Sequence, residues 1–345
     1  MVDLILRDST RIGDFLKPYI VAEVNTSHNG SVEKAKEMID KAKEAGCACV
    51  KFQSWSKESL YSKTYYDENP VAARIVDRFA FSEVQLTEVA QYCKERGIAF
   101  SSTTYSREEV DFLIEKTEAP YIKVASMDLV NYPFLEYIAG RGAPIVLSTG
   151  MGTMEEIQKA VAAIEGAGNS NICLLHCISI YPPEISTIRL NNILGLREAF
   201  PDYPVGFSDH SIGTEMSAAA VALGAAMIEK HFTLDRTKIG MDNQMATEPE
   251  EMAQLVRQCQ NVNEALGNTE RIVLPAEMDQ RKKMRRSVIA TRDLPAGTKL
   301  SKEDLSAKRP GTGLPPEKIN DLVGRVLIRD VKADTLILES DFSDI

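Results

Sequence analysis

Eight short apolar runs between residues 19 and 232, most of them separated by stretches of helical period, constrain this chain more than any other feature. They are YIVAEV (19–24), CVKFQS (49–54), AFSSTT (99–104), YIKVAS (121–126), PIVLST (144–149), ICLLHC (172–177), PVGFSD (204–209) and MIEKHF (227–232). Runs of this length read as parallel strands joined by crossover helices. Ser31 to Ala45 repeats apolar residues at Ala35, Met38, Ile39 and Ala42 and meets Gly46 as a stop. Met154 to Gly166 keeps that period, Pro249 to Leu266 starts with Pro at a first-turn position, and Thr214 to Gly224 is Ala-rich with Thr as a candidate cap. Eight such repeats over about 250 residues predict an α/β fold, a closed (β/α)8 TIM barrel rather than an open doubly wound sheet.

The carboxyl ends of the runs are polar, which a purely structural core does not require. In order they carry Glu23; Lys51 and Gln53; Thr103; Lys123, Ser126 and Asp128; Ser148; Ser179 and Tyr181; Ser208 and His210; and His231. A barrel gathers these ends on the face where barrel enzymes do chemistry. Lys51 and Lys123 stand between apolar neighbours, where an unpaired ammonium is costly, so each requires an anionic partner. Glu23 or Glu229 would serve as a structural salt bridge, whereas the hydroxyls of Thr103, Ser126, Ser148 and Ser208 fit a ligand bearing phosphate and carboxylate. STGMG at 148–152 adds backbone donors before a helix start.

His210 and His231 are two of the four histidines and end two runs joined by one helix. As neighbouring parallel strands those runs lie about 4.8 Å apart, and two imidazoles at one edge suit a divalent cation of the zinc, manganese or iron type. His28, in SHNG, reads as a loop hydrogen-bonding residue, and His176, inside LLHC, as a core or rim residue. Trp55 and Tyr61 to Tyr66 fall in a long connection reaching to about residue 82, a length typical of lids, so Trp55 either covers a ligand or packs.

A formal charge of −10 leaves no strong basic surface for nucleic acid, and the cluster RKKMRR (281–286) reads as a solvated linker or local interface. No apolar run reaches 18 residues, which excludes a membrane-spanning helix. The amino terminus carries Asp3 and Asp8 and no charged-then-apolar leader, and the six cysteines form no CxxC pair. Reduced, buried thiols in the cytoplasm are expected.

In order along the chain, AEVNTSHNGS (22–31), VKFQ (50–53), KVASMD (123–128), LSTGM (147–151), LHCISIYP (175–182), GFSDHS (206–211), EKHFTLD (229–235) and KRPGTG (308–313) resemble the sialic acid synthase family. Members condense phosphoenolpyruvate with an N-acyl hexosamine and release phosphate. The resemblance implies a transferase with His210 and His231 as ligands of a divalent metal, Mn²⁺ or else Mg²⁺ or Co²⁺, beside the acceptor aldehyde. It implies Lys51, Thr103, Lys123, Ser126, Ser148, Ser179 and Ser208 as phosphoenolpyruvate contacts. Gln53, Tyr181 and Asp242 would hold the sugar, with Glu23 or Asp128 managing a water proton. Asp128 stands where the family usually has Glu, Ser179 where it commonly has Asn, and GMDNQMATEP (240–249) departs from the usual GPD pattern, so the acceptor stays open among N-acetylmannosamine, its 6-phosphate and 2,4-diacetamido hexoses.

Residues 1–267 are expected to form the barrel and 268–286 a linker. From Ser287 to Ile345, the runs SVIAT, GRVLIRDV and TLILES broken by PAGT and PGTG predict a small β-rich domain. That domain resembles the antifreeze-like SAF domain. In the family it swaps onto the partner barrel of a homodimer, which implies that Arg309 reaches the partner's site. Two other function classes fit the residues. One is a different phosphoenolpyruvate-dependent enzyme, either a 3-deoxy sugar acid phosphate synthase or an aldolase with a Schiff-base lysine. The other is a non-catalytic sugar-binding protein.

Overall fold

In the computed structural model, which describes residues 2–238 and 240–343, the chain opens with an antiparallel hairpin of β1 (Asp3–Ile5) and β2 (Arg11–Gly13). The strands that follow are β3 (Tyr19–Glu23), β4 (Cys49–Gln53), β5 (Ala99–Thr103), β6 (Ile122–Val124), β7 (Ile145–Ser148), β8 (Ile172–Cys177), β9 (Val205–Asp209) and β10 (Met227–His231). They close in the order β10-β3-β4-β5-β6-β7-β8-β9, all parallel, so each of the eight predicted runs supplies one strand of a TIM barrel.

Strand alternation sorts the side chains into two cores. Ile20, Ala22, Val50, Phe52, Ile122, Leu147, Leu174, Phe207 and Ile228 belong to the layer shared with the helices. Tyr19, Val21, Cys49, Tyr121, Val146, Cys173, Leu175 and Met227 pack with one another and with Leu4, Leu6 and Ile12 of the hairpin. The hairpin therefore plugs the amino-terminal end of the barrel, where Ile12 is wholly buried and adds about 2 kcal/mol of burial. Nothing in the periodicity of residues 1–15 announced this plug.

The helices form where their signals stand. The helix Val32–Ala45 is capped by Ser31, whose side chain accepts from the Lys34 N–H, and ends at Gly46 with φ 90°. Met154–Gly166 starts behind a Thr153 capping box, and Pro249–Leu266 has its proline in the first turn. The helix Glu215–Ala222 follows Thr214, but the threonine side chain makes no capping bond, and Thr214 N–H instead donates to Glu215.

After β4, the connection folds into three helices, Lys57–Leu60, Lys63–Glu68 and Pro70–Phe79. They bury Trp55, Tyr66, Ala73, Val76 and Phe79 in a satellite core, with Tyr105 packed against it. Of the two readings open for Trp55, packing is the observed one.

Beside this core, Glu58, Glu83, Glu108 and Glu109 line a hollow of about 400 Å³. Glu109 accepts the Tyr105 N–H at 2.7 Å, and burial pushes its carboxyl up to about 7. An acid whose folded value exceeds its unfolded one stabilises the fold fully below about pH 4.5 and loses that contribution as pH rises through about 7. Glu109→Gln is therefore expected to raise the thermal midpoint at pH 8, by the equivalent of up to about 3 kcal/mol, and to leave it unchanged at pH 4. Thermal scans of the two proteins across that range check the sign.

The chain divides into two compact units, Met1–Gly267 and Asn268–Ile345. The stretch expected as a linker, 268–286, contains the helix Pro275–Met284, a first-turn proline followed by good helix formers. The second unit pairs β11 (Ser287–Ala290) with β12 (Leu305–Lys308) and buries its own core of Val288, Leu294, Leu300, Leu327 and Ile337. GRVLIRDV contributes isolated bridges at Val326 and Val331 rather than a continuous strand, and TLILES contributes one at Leu336.

Candidate active site

Continuing the barrel's inward alternation beyond its apolar layers turns the lining polar. Glu23, Lys51, Thr103, Lys123, Ser126, Ser148, Ser179, Tyr181, Ser208, His210 and His231 line one cavity of about 260 Å³, together with Cys177, Met127, Met151 and Glu229. The eleven predicted residues among these come from all eight strands or from the segments directly after them.

The floor is an interlocked set of charges. Lys51 ion-pairs with Glu23, donates to Thr103 Oγ1 at 2.8 Å and lies 3.7 Å from Glu229 Oε2. Lys123 donates to Ser148 Oγ at 2.7 Å and to the Val124 carbonyl at 3.1 Å, with Glu229 Oε1 at 3.9 Å. Ser208 Oγ donates to Glu229 Oε1 at 3.0 Å, while Glu229 Oε2 has no hydrogen-bond partner. The two lysines thus share Glu229 and differ in their second partner.

Burial raises the Glu23 carboxyl above its ordinary range despite the adjacent Lys51, and Glu229 adds to the rise. Burial acts on Glu229 in the same direction, but Lys123, Lys51 and the Ser208 hydroxyl together hold it below its ordinary value. Lys51 is lowered by burial and more than restored by Glu229 and Glu23, whereas Lys123 stays below the usual lysine range because burial, with repulsion from Lys51, outweighs the support of Glu229.

Above this floor the rings of His210 and His231 stand 5.3 Å apart at 69°. The motifs that carry them explain the placement. Ser208 pairs with Glu229 and Asp209 with Lys230 in register, so alternation sends Ser208 and Glu229 inward and Asp209 and Lys230 outward. Outside the barrel, Lys230 donates to Asp209 at 3.0 Å, and Asp209 also accepts from Ser217 at 2.7 Å and from Ser211. The outward ion pair clamps the two strand ends from which the inward imidazoles project.

His210 Nδ1 lies 2.8 Å from the Ile178 carbonyl, which puts the ring proton on that nitrogen and the lone pair on Nε2. The His210 imidazole is held above its usual value, with burial opposing and Cys177 supporting the charge. His231 is driven well below its usual value by burial and by neighbouring His210 and Lys51, so it is a neutral imidazole. A carbonyl-oriented histidine beside a neutral one is a donor set suited to a divalent cation. Among the described residues no group of three such side chains makes a complete cage, so the fit is to a cation completed by substrate and water.

The remaining predicted residues lie around this cavity. Gln53 donates to Glu23 Oε1 at 3.0 Å from just outside the lining. Asp242 holds the side-chain amide of Asn25. Asp128 accepts from Asn131 at 2.9 Å and is not part of the lining. Arg309 follows β12 in the second unit. In STGMG the Gly150 N–H donates to Ser126 Oγ at 3.0 Å, and a side chain at Gly150 would collide with the Ser126 and Ser179 hydroxyls. Those backbone donors therefore shape the serines.

His28 stacks on Phe81 at 4.0 Å and accepts from the Gly30 N–H, and burial lowers its imidazole to about 4. His176 faces outward, bonded to the Ile188 carbonyl at 2.7 Å and stacked on Phe207. All six cysteines are buried and unpaired with one another, and no helix among the described residues is long and apolar enough to cross a membrane.

Cys177 and Tyr105 went unread as site residues, and Glu229 was read only as a possible salt-bridge partner. Glu229 was accessible to the same alternation that turns His231 inward, because it stands two residues earlier on the same strand. Tyr105, whose hydroxyl donates to Gln53 Oε1 at 2.8 Å, had no such signal, since that contact depends on a loop conformation.

The chain has known relatives. The family model described as the NeuB family matches residues 38–271, and a SAF domain model matches residues 285–343. The chain belongs to the NeuB family. It is 36% identical to the human N-acetylneuraminate-9-phosphate synthase, over 93% of this chain and 91% of that protein. It is 34% identical to the N,N'-diacetyllegionaminic acid synthase of Legionella pneumophila, over 94% of this chain and 95% of that protein. The crystal structure of N-acetylneuraminic acid synthetase from Leptospira borgpetersenii serovar Hardjo-bovis in complex with citrate superposes with a TM-score of 0.74 at 31% identity. That match covers 81% of this NeuB-family chain and 94% of the other.

Proposed function

We propose that the protein is a nonulosonate synthase that condenses phosphoenolpyruvate with the open-chain aldehyde of an unphosphorylated N-acyl hexosamine and releases phosphate. The observation that carries this reading is the pair of buried lysines, each hydrogen-bonded to a rim hydroxyl, beneath two imidazoles in one cavity.

Lys51 and Lys123, with Thr103, Ser126, Ser148, Ser179 and Ser208, bind the phosphate and carboxylate of phosphoenolpyruvate. His210 and His231 would hold a divalent cation of the manganese type, which supplies Lewis-acid polarisation of the acceptor aldehyde. The enol carbon of phosphoenolpyruvate bonds to the aldehyde carbon, water adds at the former C2, and phosphate departs by C–O cleavage. Holding the dianion and the aldehyde in one cavity converts an encounter into an intramolecular step. Glu23 takes the water's proton. Its place in the lining favours it over Asp128, which is turned to Asn131.

Gln53, Tyr181 and Asp242 contact the sugar; Tyr181 already lies tilted over His210 at 4.1 Å. Among the described residues the barrel's own lining holds two lysines, Lys51 and Lys123, and no arginine, which supports an acceptor without a second phosphate. Exposed Met127 and Met151 belong to the cavity lining, apolar surface that favours coverage by a partner's SAF domain in a swapped homodimer, with Arg309 supplied in trans. The free buried thiols favour a cytoplasmic setting.

A phosphate-release assay with phosphoenolpyruvate, manganese and a panel of N-acetylmannosamine, its 6-phosphate and 2,4-diacetamido hexoses tests the reading. Release is expected with an unphosphorylated acceptor. A preference for the 6-phosphate would refute the acceptor assignment, and no release with any of them would refute the reaction.

A further inference from the structure

The oxygen of the Gln53 amide is held twice. Trp55 Nε1 donates to Gln53 Oε1 at 2.8 Å and Tyr105 OH donates to the same atom at 2.8 Å. An indole nitrogen can only donate, and two donors occupy both lone pairs of one carbonyl oxygen. The amide therefore has a single satisfied orientation, with its NH₂ toward Glu23 Oε1 at 3.0 Å. The reverse flip would set the NH₂ against the indole N–H, which cannot accept, and the oxygen against a carboxylate.

Neither donor belongs to the barrel. Trp55 lies in the satellite core beneath the helices that follow β4 and is 3% exposed, and Tyr105 packs against that core from the loop after β5. The backbone of Tyr105 is fixed in turn by Glu109, which accepts its N–H at 2.7 Å. The orientation of Gln53 is thus decided by how the 54–82 segment packs.

We propose that Trp55 and Tyr105 are positioning residues that lock the Gln53 amide with its NH₂ toward Glu23, making acceptor-sugar binding depend on the packed state of the 54–82 segment. The proposal rests on the reading of Gln53 as a sugar contact. It adds that the contact is preset by two aromatic side chains that need not touch the substrate. Because the two donors share one acceptor atom, each partly covers for the other. Tyr105→Phe or Trp55→Phe alone leaves one donor, while the double variant frees the amide to turn.

A double-mutant cycle tests this, with a second readout that needs no turnover. Tyr105→Phe is expected to raise the KM of the acceptor about fivefold, the usual cost of one lost hydrogen bond, with the phosphoenolpyruvate KM and kcat within about twofold. In a Gln53→Leu background the same substitution should add nothing, because the group it acts through is gone. Trp55 is the only tryptophan in the chain, so the ¹⁵N-labelled protein gives one indole N–H resonance. Gln53→Leu should move that resonance upfield as its acceptor disappears.

An undiminished Tyr105→Phe effect in the Gln53→Leu background would overturn the proposal, as would an equal rise in both KM values or an indole resonance that stays in place. Should the wild-type protein turn over none of the acceptors, the functional reading fails, and the resonance still decides whether the clamp exists.

Discussion

Replacing His231 by alanine is expected to lower phosphate release by roughly 10³-fold or more while leaving the protein folded. The size follows from what one imidazole is asked to do. A Lewis acid contributes several kcal/mol of charge stabilisation to the transition state, and about 4 kcal/mol is a factor of 10³ in rate. Among the described residues the site offers two imidazoles and no complete cage, so a cation held there would lose one of its two proposed side-chain ligands. The structural cost is small by comparison. His231 is buried, but its ring contacts are the edge-on neighbours Tyr181 and His210, and the strand end is clamped independently by Lys230 and Asp209. A cavity of that size costs about 2 kcal/mol, a few degrees of thermal midpoint in a domain of this length. Steady-state phosphate release with saturating manganese, alongside a thermal scan, separates the two effects. Near-normal turnover would reject His231 as a ligand.

Lys51→Met is expected to cost both stability and phosphoenolpyruvate binding, and the two losses should part company in a double variant. Lys51 is 2% exposed and stands between Glu23 and Glu229, so its removal leaves two buried carboxylates facing one lysine. Breaking a buried pair by deleting one partner costs about 3–5 kcal/mol, because the surviving charge is left uncompensated. Adding Glu23→Gln removes one of those charges without changing the side chain's size. The double variant should recover much of the thermal midpoint. If Lys51 is a ligand contact, phosphoenolpyruvate affinity stays lost; if it is only a structural cation, affinity returns with stability. Calorimetric titration of the three proteins with phosphoenolpyruvate distinguishes these outcomes, and the present account requires the first.

How much of this was legible in the sequence depends on the range of the interaction that decides it. The barrel was legible because every strand is a run of apolar residues with a polar end, and alternation fixes which side chains reach the mouth. The imidazole pair was legible for the same reason: SDH and EKH place a histidine at matching ends of adjacent strands. The amino-terminal plug was not, since Leu4, Leu6 and Ile12 are too few to show a period and gain meaning only under the barrel. Nor were the orientations of Asp128 and Gln53. One is set by Asn131 three residues on, the other by Trp55 two residues on and Tyr105 behind the adjacent strand, and none of these partners lies in a repeat that a sequence displays. The helix inside the expected linker was not legible because RKKMRR looks solvated, and a solvated stretch behind a proline also makes a good exposed helix.

The central claim is that the rim lysines and hydroxyls hold phosphoenolpyruvate for attack by its enol carbon and loss of phosphate through C–O cleavage. Phosphoenolpyruvate labelled with ¹⁸O at the bridging oxygen, turned over with an N-acyl hexosamine and manganese, tests it most directly by mass spectrometry of the released phosphate. The account predicts that the label leaves in phosphate. Unlabelled phosphate, with the bridging oxygen left behind on carbon, would contradict it.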